Sequence, residues 1–414
     1  MRDQTDQAMR PPGFLRVVAA LALVAAGCTT TGLAPSDTNS SPPTTPSSTT
    51  TTARTTTTTL PALPEVPAQP APDPAPPAAG QIPPAGTRGV AVMAAGGAAL
   101  WEERSGNPFV TAREGLVLAV TAREGDWFLL RTMCDTEAWA EAAQLEFSPA
   151  TDPVEIGEGT SFSDAVVVLD PGHGGFNRGA QGPTGLREEV VNLDIARRAR
   201  DLLQSAHIVD WETGIVYPGQ DIPPVGRVWV TRVAGPPDAD YEAGLLFRAT
   251  LAGSAGANAL IAIHNNASPD GPFEGPGSET FYMYKDPDSR RLGGLLIEEM
   301  RRSFSDFDID WAGDRDAGAK YRLQEDGETD YYGILRRALV PSVISEGAFI
   351  SSESEEALLA TPEFRQAYAE AIYRALVRFV TTDDPGSGFT TPYLRTTDVG
   401  SGDARPTCQV PAQP

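Results

Sequence analysis

His173, Glu188, His264 and Glu346 are the residues whose types and positions could do chemistry together. Two imidazoles and two carboxylates suit a divalent metal with a general base beside it. Three of the four stand just past an apolar run. Residues 166–170 lead to His173, 259–263 run into His264, and 343–345 run into Glu346. Short β-branched runs of this kind suit buried parallel strands. Catalytic groups of an open α/β sheet gather at the carboxyl ends of its strands. The chain has three histidines. His207, the third, follows a helical pattern outside any motif and reads as a helix-end or surface histidine.

Positioning these groups takes a particular set of elements. Strands alternating with helical patterns across residues 165–381 imply an α/β fold, a mixed, largely parallel sheet flanked by helices. The spacing predicts a helix over 189–204, with Val191, Ile195, Ala199 and Leu202 on one face. Glu188 falls at or just before its first turn, where the helix dipole also favours a carboxylate. By composition alone Glu189 competes with Glu188 as a ligand. Thr361-Pro362-Glu363 opens another helix, with a cap residue and then proline in the first turn. A third helical pattern covers 291–304, and a polar run follows it.

The 414 residues allow two compact domains plus unstructured segments. A net charge of -23 with no basic run argues against nucleic acid as a partner and gives no attraction to anionic lipid. Arg10 and Arg16 precede an apolar stretch too short to span a bilayer. That stretch ends in Val24-Ala25-Ala26-Gly27-Cys28, so residues 1–28 resemble a bacterial lipoprotein signal and lipobox. A lipidated Cys28 would anchor the chain to the membrane on its extracytoplasmic side. Ordinary signal-peptide cleavage at the same small residues is the alternative. Residues 29–87 are mostly Thr, Ser, Pro and Ala, and should form a disordered tether.

Residues 88–149 form a small β-rich unit, with short strands at 90–92, 99–101, 117–120 and 127–131 and a last one at 137–140. Gly125-Asp126-Trp127 and Glu137-Ala138-Trp139 resemble a bacterial SH3-like domain, a small all-β barrel. Such domains are mostly wall-binding or accessory. Trp101, Trp127 and Trp139 are expected to pack in its core. Residues 382–414 read as an irregular tail. With Cys28 lipidated, Cys134 and Cys408 remain, and an exported protein meets an oxidising environment. A Cys134–Cys408 disulfide that pins the tail to the small unit is therefore expected.

Leu169-Asp170-Pro171-Gly172-His173-Gly174-Gly175, then Gly179-Ala180-Gln181-Gly182, then Glu188 with Val191-Asn192-Leu193, resembles the start of a zinc-dependent N-acetylmuramoyl-L-alanine amidase. The resemblance runs on through Thr231-Arg232, Arg248, Ile263-His264-Asn265-Asn266-Ala267, Gly277-Ser278-Glu279-Thr280, Leu335-Arg336 and Ser345-Glu346-Gly347-Ala348-Phe349. It implies Zn2+ held by His173, Glu188 and His264, with Glu346 as the catalytic base for a zinc-activated water. It implies peptidoglycan as the substrate, cut between N-acetylmuramic acid and L-alanine, in wall remodelling or cell separation. Asn265, Asn258 and Ala262 depart from the family pattern without removing a ligand. Asp170 and Glu279 are supporting candidates, or else a turn cap and a strand-edge charge. Two other readings are another exported zinc hydrolase, a peptidase or deacetylase, and a non-catalytic wall-binding protein.

Overall fold

The N-terminal strands are β1 (Gly89–Met93), β2 (Ala98–Leu100), β3 (Val110–Ala112), β4 (Val117–Glu124), β5 (Trp127–Arg131), β6 (Glu137–Glu141) and β7 (Leu145–Pro149), with burial alternating along β5 and β6. Five of them form an antiparallel sheet in the order β6-β5-β4-β1-β7, and β2 pairs with β3. The strand at 137–140 is thus not the last of this unit. β7 follows it and closes the sheet beside β1. Pro149 ends β7, which a proline tolerates because β7 is an edge strand. This computed structural model describes residues 86–175, 177–232, 243–268, 277–307, 318–394 and 408–413. The expected signal segment, Cys28 and nearly all of the tether lie outside the described residues. Among the described residues no helix is long and apolar enough to cross a membrane.

The larger unit follows as β8 (Val166–Pro171), α1 (Glu188–Leu203), β9 (His207–Val209), β10 (Val216–Pro218), β11 (Arg227–Val230), α2 (Leu245–Ala255), β12 (Ala259–Asn266), β13 (Glu279–Tyr282), α3 (Pro287–Phe304), β14 (Gly318–Lys320), β15 (Arg322–Leu323), α4 (Gly333–Arg337), β16 (Ser342–Phe349), α5 (Glu353–Leu359), α6 (Pro362–Thr381) and β17 (Tyr393–Leu394). Its main sheet runs β11-β8-β12-β16-β13-β14, parallel except where β13 meets β16. Local signals place the helices. Thr361 caps α6 through the Phe364 amide, and Asp286 caps α3 through the Ser289 amide. The expected polar run after α3 contains β14 and β15, and α4 follows it.

Each face of the sheet buries its own core. Val167, Leu169, Ile261 and Ile263 pack with Val191, Ile195, Leu296 and Phe364 of α1, α3 and α6. On the opposite face Val168, Leu260, Ala262 and Ile344 pack with Phe247 and Leu251 of α2. That second core continues into Val90, Leu118 and Leu130 of the N-terminal unit.

Three expectations need adjustment. Phe128, Leu130, Ala138 and Ala140 take the buried face of their strands, so Trp127 and Trp139 point the other way. Trp101 meets Trp127 edge to face at 5.1 Å, and Arg104 lies 4.5 Å over Trp139, outside the core. His207 is a buried residue of β9, its Nδ1 2.9 Å from the Ser205 carbonyl and its ring against Tyr373. The tail is less irregular than expected, because β17 pairs with β15 and Ala412 bridges Ala112. The expected disulfide between Cys134 and Cys408 is present, with the two Cα atoms 5.5 Å apart.

Candidate metal centre

Period-two alternation aims four polar side chains the same way. Val166 and Val168 lie in the core beneath α2, so Asp170 follows on that face. Leu260 and Ala262 set His264, Ile344 sets Glu346, and Phe281 sets Glu279 by the same rule. Glu346 is the register partner of both His264 and Glu279. These three therefore form one row across β12, β16 and β13.

His173 comes from the loop after β8. Its φ of 63° lies in the left-handed region, a conformation that neighbours must support. Gly172 precedes it because a Cβ there would stand 2.2 Å from the His264 ring. Gly179 has φ +68°, and a Cβ would stand 2.4 Å from a Glu188 carboxylate oxygen. Glu188 enters from the first turn of α1. Its Oε2 lies 3.1 Å from His173 Nε2, and its Oε1 lies 3.1 Å from His264 Nδ1. One ligand atom from each of His173, Glu188 and His264 lies within 4.8 Å of the others.

The choice between the two glutamates is now geometric. Glu189 pairs with Arg187 at 3.2 Å, while Glu188 reaches both imidazoles. The Ala180 amide donates to Glu188 Oε2 at 2.8 Å, and the Asn265 amide donates to Oε1 at 3.2 Å. Burial opposes charge on Glu188, but the two imidazoles outweigh it and hold its pKa far below the usual carboxylate range. Burial also opposes charge on His173, yet Glu188 leaves its pKa raised. At His264 burial, helped by the nearby His173, leaves the pKa lowered. Glu346 is pushed well above its ordinary value by burial and by the carboxylates of Glu188 and Glu279. Its Oε2 is buried and has no hydrogen-bond partner.

The supporting groups are individually placed. Asn177 Oδ1 lies 3.0 Å from His173 Nδ1, which leaves Nε2 turned toward Glu188. Asp170 accepts from Thr231 and pairs with Arg248. Glu279 accepts from Asn266 Nδ2 at 2.7 Å and pairs with Lys320. Neither acid is a bare turn cap or edge charge. Asn265 Nδ2 donates to Asn192 at 2.9 Å, and Asn258 bridges the Val166 amide and the Val154 carbonyl. The cluster opens into a cavity of about 550 Å³ whose walls include Leu245, Arg322, Tyr331 and Tyr332. Asn177, Lys320 and Arg322 carry no sequence signal that singles them out. All three lie in loops or short strands without periodicity.

These features define an α/β protein with a metal-competent site at the carboxyl edge of its sheet. Residues 167–378 match the N-acetylmuramoyl-L-alanine amidase family. The match covers just over half of the chain, and the chain belongs to that family. It is 27% identical over 220 residues to the germination-specific N-acetylmuramoyl-L-alanine amidase of Bacillus subtilis, covering 53% of this chain and 81% of that one. It is 29% identical over 258 residues to N-acetylmuramoyl-L-alanine amidase AmiC of Neisseria meningitidis, and this chain spans 58% of that relative's length and 58% of its own. A crystal structure of an N-acetylmuramoyl-L-alanine amidase from Clostridium difficile is similar at 26% identity and TM-score 0.41, over 52% of this chain and 97% of that one.

Proposed function

We propose that this chain hydrolyses the amide between N-acetylmuramic acid and L-alanine in peptidoglycan, using Zn2+ held by His173, Glu188 and His264. The observation that carries the reading is the convergence of those three side chains beside a buried carboxyl, Glu346, with an oxygen free of protein partners. Borderline nitrogen ligands with one carboxylate suit zinc. Zinc bound there supplies a Lewis acid and an acidified water. The chain's own residues do the rest. Asn177 orients His173, and the Ala180 and Asn265 amides hold the Glu188 carboxylate in place. Glu346 takes the proton of the attacking water and returns one to the leaving amine of L-alanine.

The same reading assigns residues 88–149 to an SH3-like accessory domain and residues 165–381 to the amidase domain. A lipidated Cys28 and the 29–87 tether would hold the enzyme outside the cytoplasm, within reach of the wall it remodels. The test is mass spectrometry of muropeptides digested by the purified protein, with and without chelator. New amino termini on L-alanine, lost with chelator, are expected. Cleavage elsewhere in the stem, or loss of acetyl groups, would turn the reading toward a peptidase or deacetylase. His264→Ala should lose zinc and turnover together, since two protein ligands hold the ion poorly. Glu346→Gln should keep zinc and lose about 10²–10⁴-fold in turnover. Near wild-type rates in that variant would place the base elsewhere.

A further inference from the structure

No residue of the N-terminal unit lines the catalytic cavity, yet that unit grips the helix on which the metal loop rests. The residue at the amino-terminal cap of α2 is Gly244, which has no side chain to cap it. Its first amides are satisfied from more than a hundred residues away in sequence. Asp135 Oδ1 accepts from the Phe247 amide at 2.8 Å and Oδ2 from the Leu246 amide at 3.3 Å, while the Met133 carbonyl accepts from the Gly244 amide at 2.8 Å. At the other end Arg88 Nη1 donates to the Gly253 carbonyl at 2.6 Å. An acid at the amino end and a base at the carboxyl end both match the helix dipole.

Asp135 pays conformational strain for this position. Its φ of 60° is left-handed, although it is not glycine. The turn around it is braced by the Asp135 amide on the Thr132 carbonyl at 3.0 Å and by Arg131 Nη1 on the Asp135 carbonyl at 2.9 Å. The Cys134–Cys408 disulfide adjoins it. One turn into α2, buried Arg248 connects the helix end to the catalytic loop. Its Nε donates to the Ala243 carbonyl at 2.8 Å, Nη1 to the Pro171 carbonyl at 2.9 Å, and Nη2 to the His173 carbonyl at 2.7 Å. His173 is itself held at positive φ. The contact path therefore runs from Asp135 through the start of α2 and Arg248 to the backbone of a metal-site histidine.

We infer that Asp135 is a positioning residue for the metal centre, and that the N-terminal unit works as part of the active-site scaffold through it. The inference rests on the metal reading of His173, Glu188 and His264. It is tested in the full chain with Asp135→Ala, Asp135→Asn and Asp210→Ala, the last removing the acceptor of the Glu212 and Thr213 amides in the turn between β9 and β10, outside the cavity lining. Three quantities are read: zinc affinity by chelator competition, kcat against KM, and hydrogen exchange at the Gly172 and Gly174 amides of the metal loop in zinc-free protein.

Asp135→Ala should weaken zinc about tenfold, the scale of a lost supporting contact. It should lower kcat with little change in KM and speed exchange at Gly172 and Gly174. Asp135→Asn, which keeps an acceptor, should restore most of each. Asp210→Ala should lower the melting temperature and leave all three unchanged. Unchanged zinc affinity and loop exchange in Asp135→Ala, or equal losses in Asp210→Ala, would overturn the inference. A wild-type protein that binds no zinc would instead sink the metal reading, and the exchange data would still decide the coupling.

Discussion

Lys320 is the buried cation that pairs with the acid next to Glu346 in the sheet. It is fully buried, and its ammonium pairs with Glu279, which stands in register beside Glu346. Two carboxylates this close in a buried site raise each other's pKa unless a cation offsets one of them. Removing one partner of a buried pair leaves an uncompensated charge, which typically costs about 3–5 kcal/mol. Lys320→Met should destabilise the fold by that order, read from urea denaturation midpoints. Adding Glu279→Gln in the same chain should recover much of the loss, because the orphaned charge is then gone. A single variant within 1 kcal/mol of wild type (roughly the value of an exposed pair) would show that the pair does not bear on stability. Sequence spacing could locate Glu346 at a strand end. It could not reveal that Glu279 lies beside it, because that contact joins an antiparallel neighbour across the sheet.

At the scale of elements, the segment from β15 to α4 forms one wall of the cavity, and Asp330 holds it. Both Asp330 carboxylate oxygens accept from the Tyr284 amide, at 3.0 and 3.2 Å. Burial raises its pKa from 3.8 to about 6, against the opposing effects of the Tyr284 amide and Arg336. The folded state therefore holds this proton more tightly than the unfolded chain. The stability that follows is fully present below about pH 4 and is lost as pH rises through 6. Asp330→Asn removes the titration while keeping an acceptor for Tyr284. The variant should be more stable than wild type at pH 7–8, by up to about 3 kcal/mol, with the gap closing toward pH 4. A gap that does not change with pH would show that Asp330 is not perturbed. This wall was hidden in the sequence, where it reads as a polar run after α3. Its strand β15 is only two residues long and takes its pairing from a distant partner, β17. Helices α1, α3 and α6, by contrast, were legible from apolar periodicity and from caps that act within one turn.

At the scale of the whole molecule, the Cys134–Cys408 bridge spans 274 residues of sequence. It ties the tail to the N-terminal unit, where the Arg113 amide donates to the Pro411 carbonyl at 2.9 Å and the Gln413 amide to the Thr111 carbonyl at 2.8 Å. Closing so long a loop constrains the unfolded chain and stabilises by about 2–5 kcal/mol. Reduction, or Cys408→Ser, should lower the melting midpoint by a matching amount, and an unmoved midpoint would show that the tail contacts hold without the bridge. The α/β class, helices α1, α3 and α6, and the strand-end placing of His173, His264 and Glu346 can all be read from the sequence alone. Those follow from local rules, namely period-two burial, helical periodicity and caps that act within one turn. The folded chain adds the geometry by which Glu188, already implied by the family resemblance, reaches both imidazoles while Glu189 pairs with Arg187, and it turns Trp127 and Trp139 away from their core. It alone joined the N-terminal unit to α2 through Asp135 and Arg88. Each of these depends on which face of an element another part of the chain covers. That is set by contacts between residues far apart in sequence, which no local pattern records.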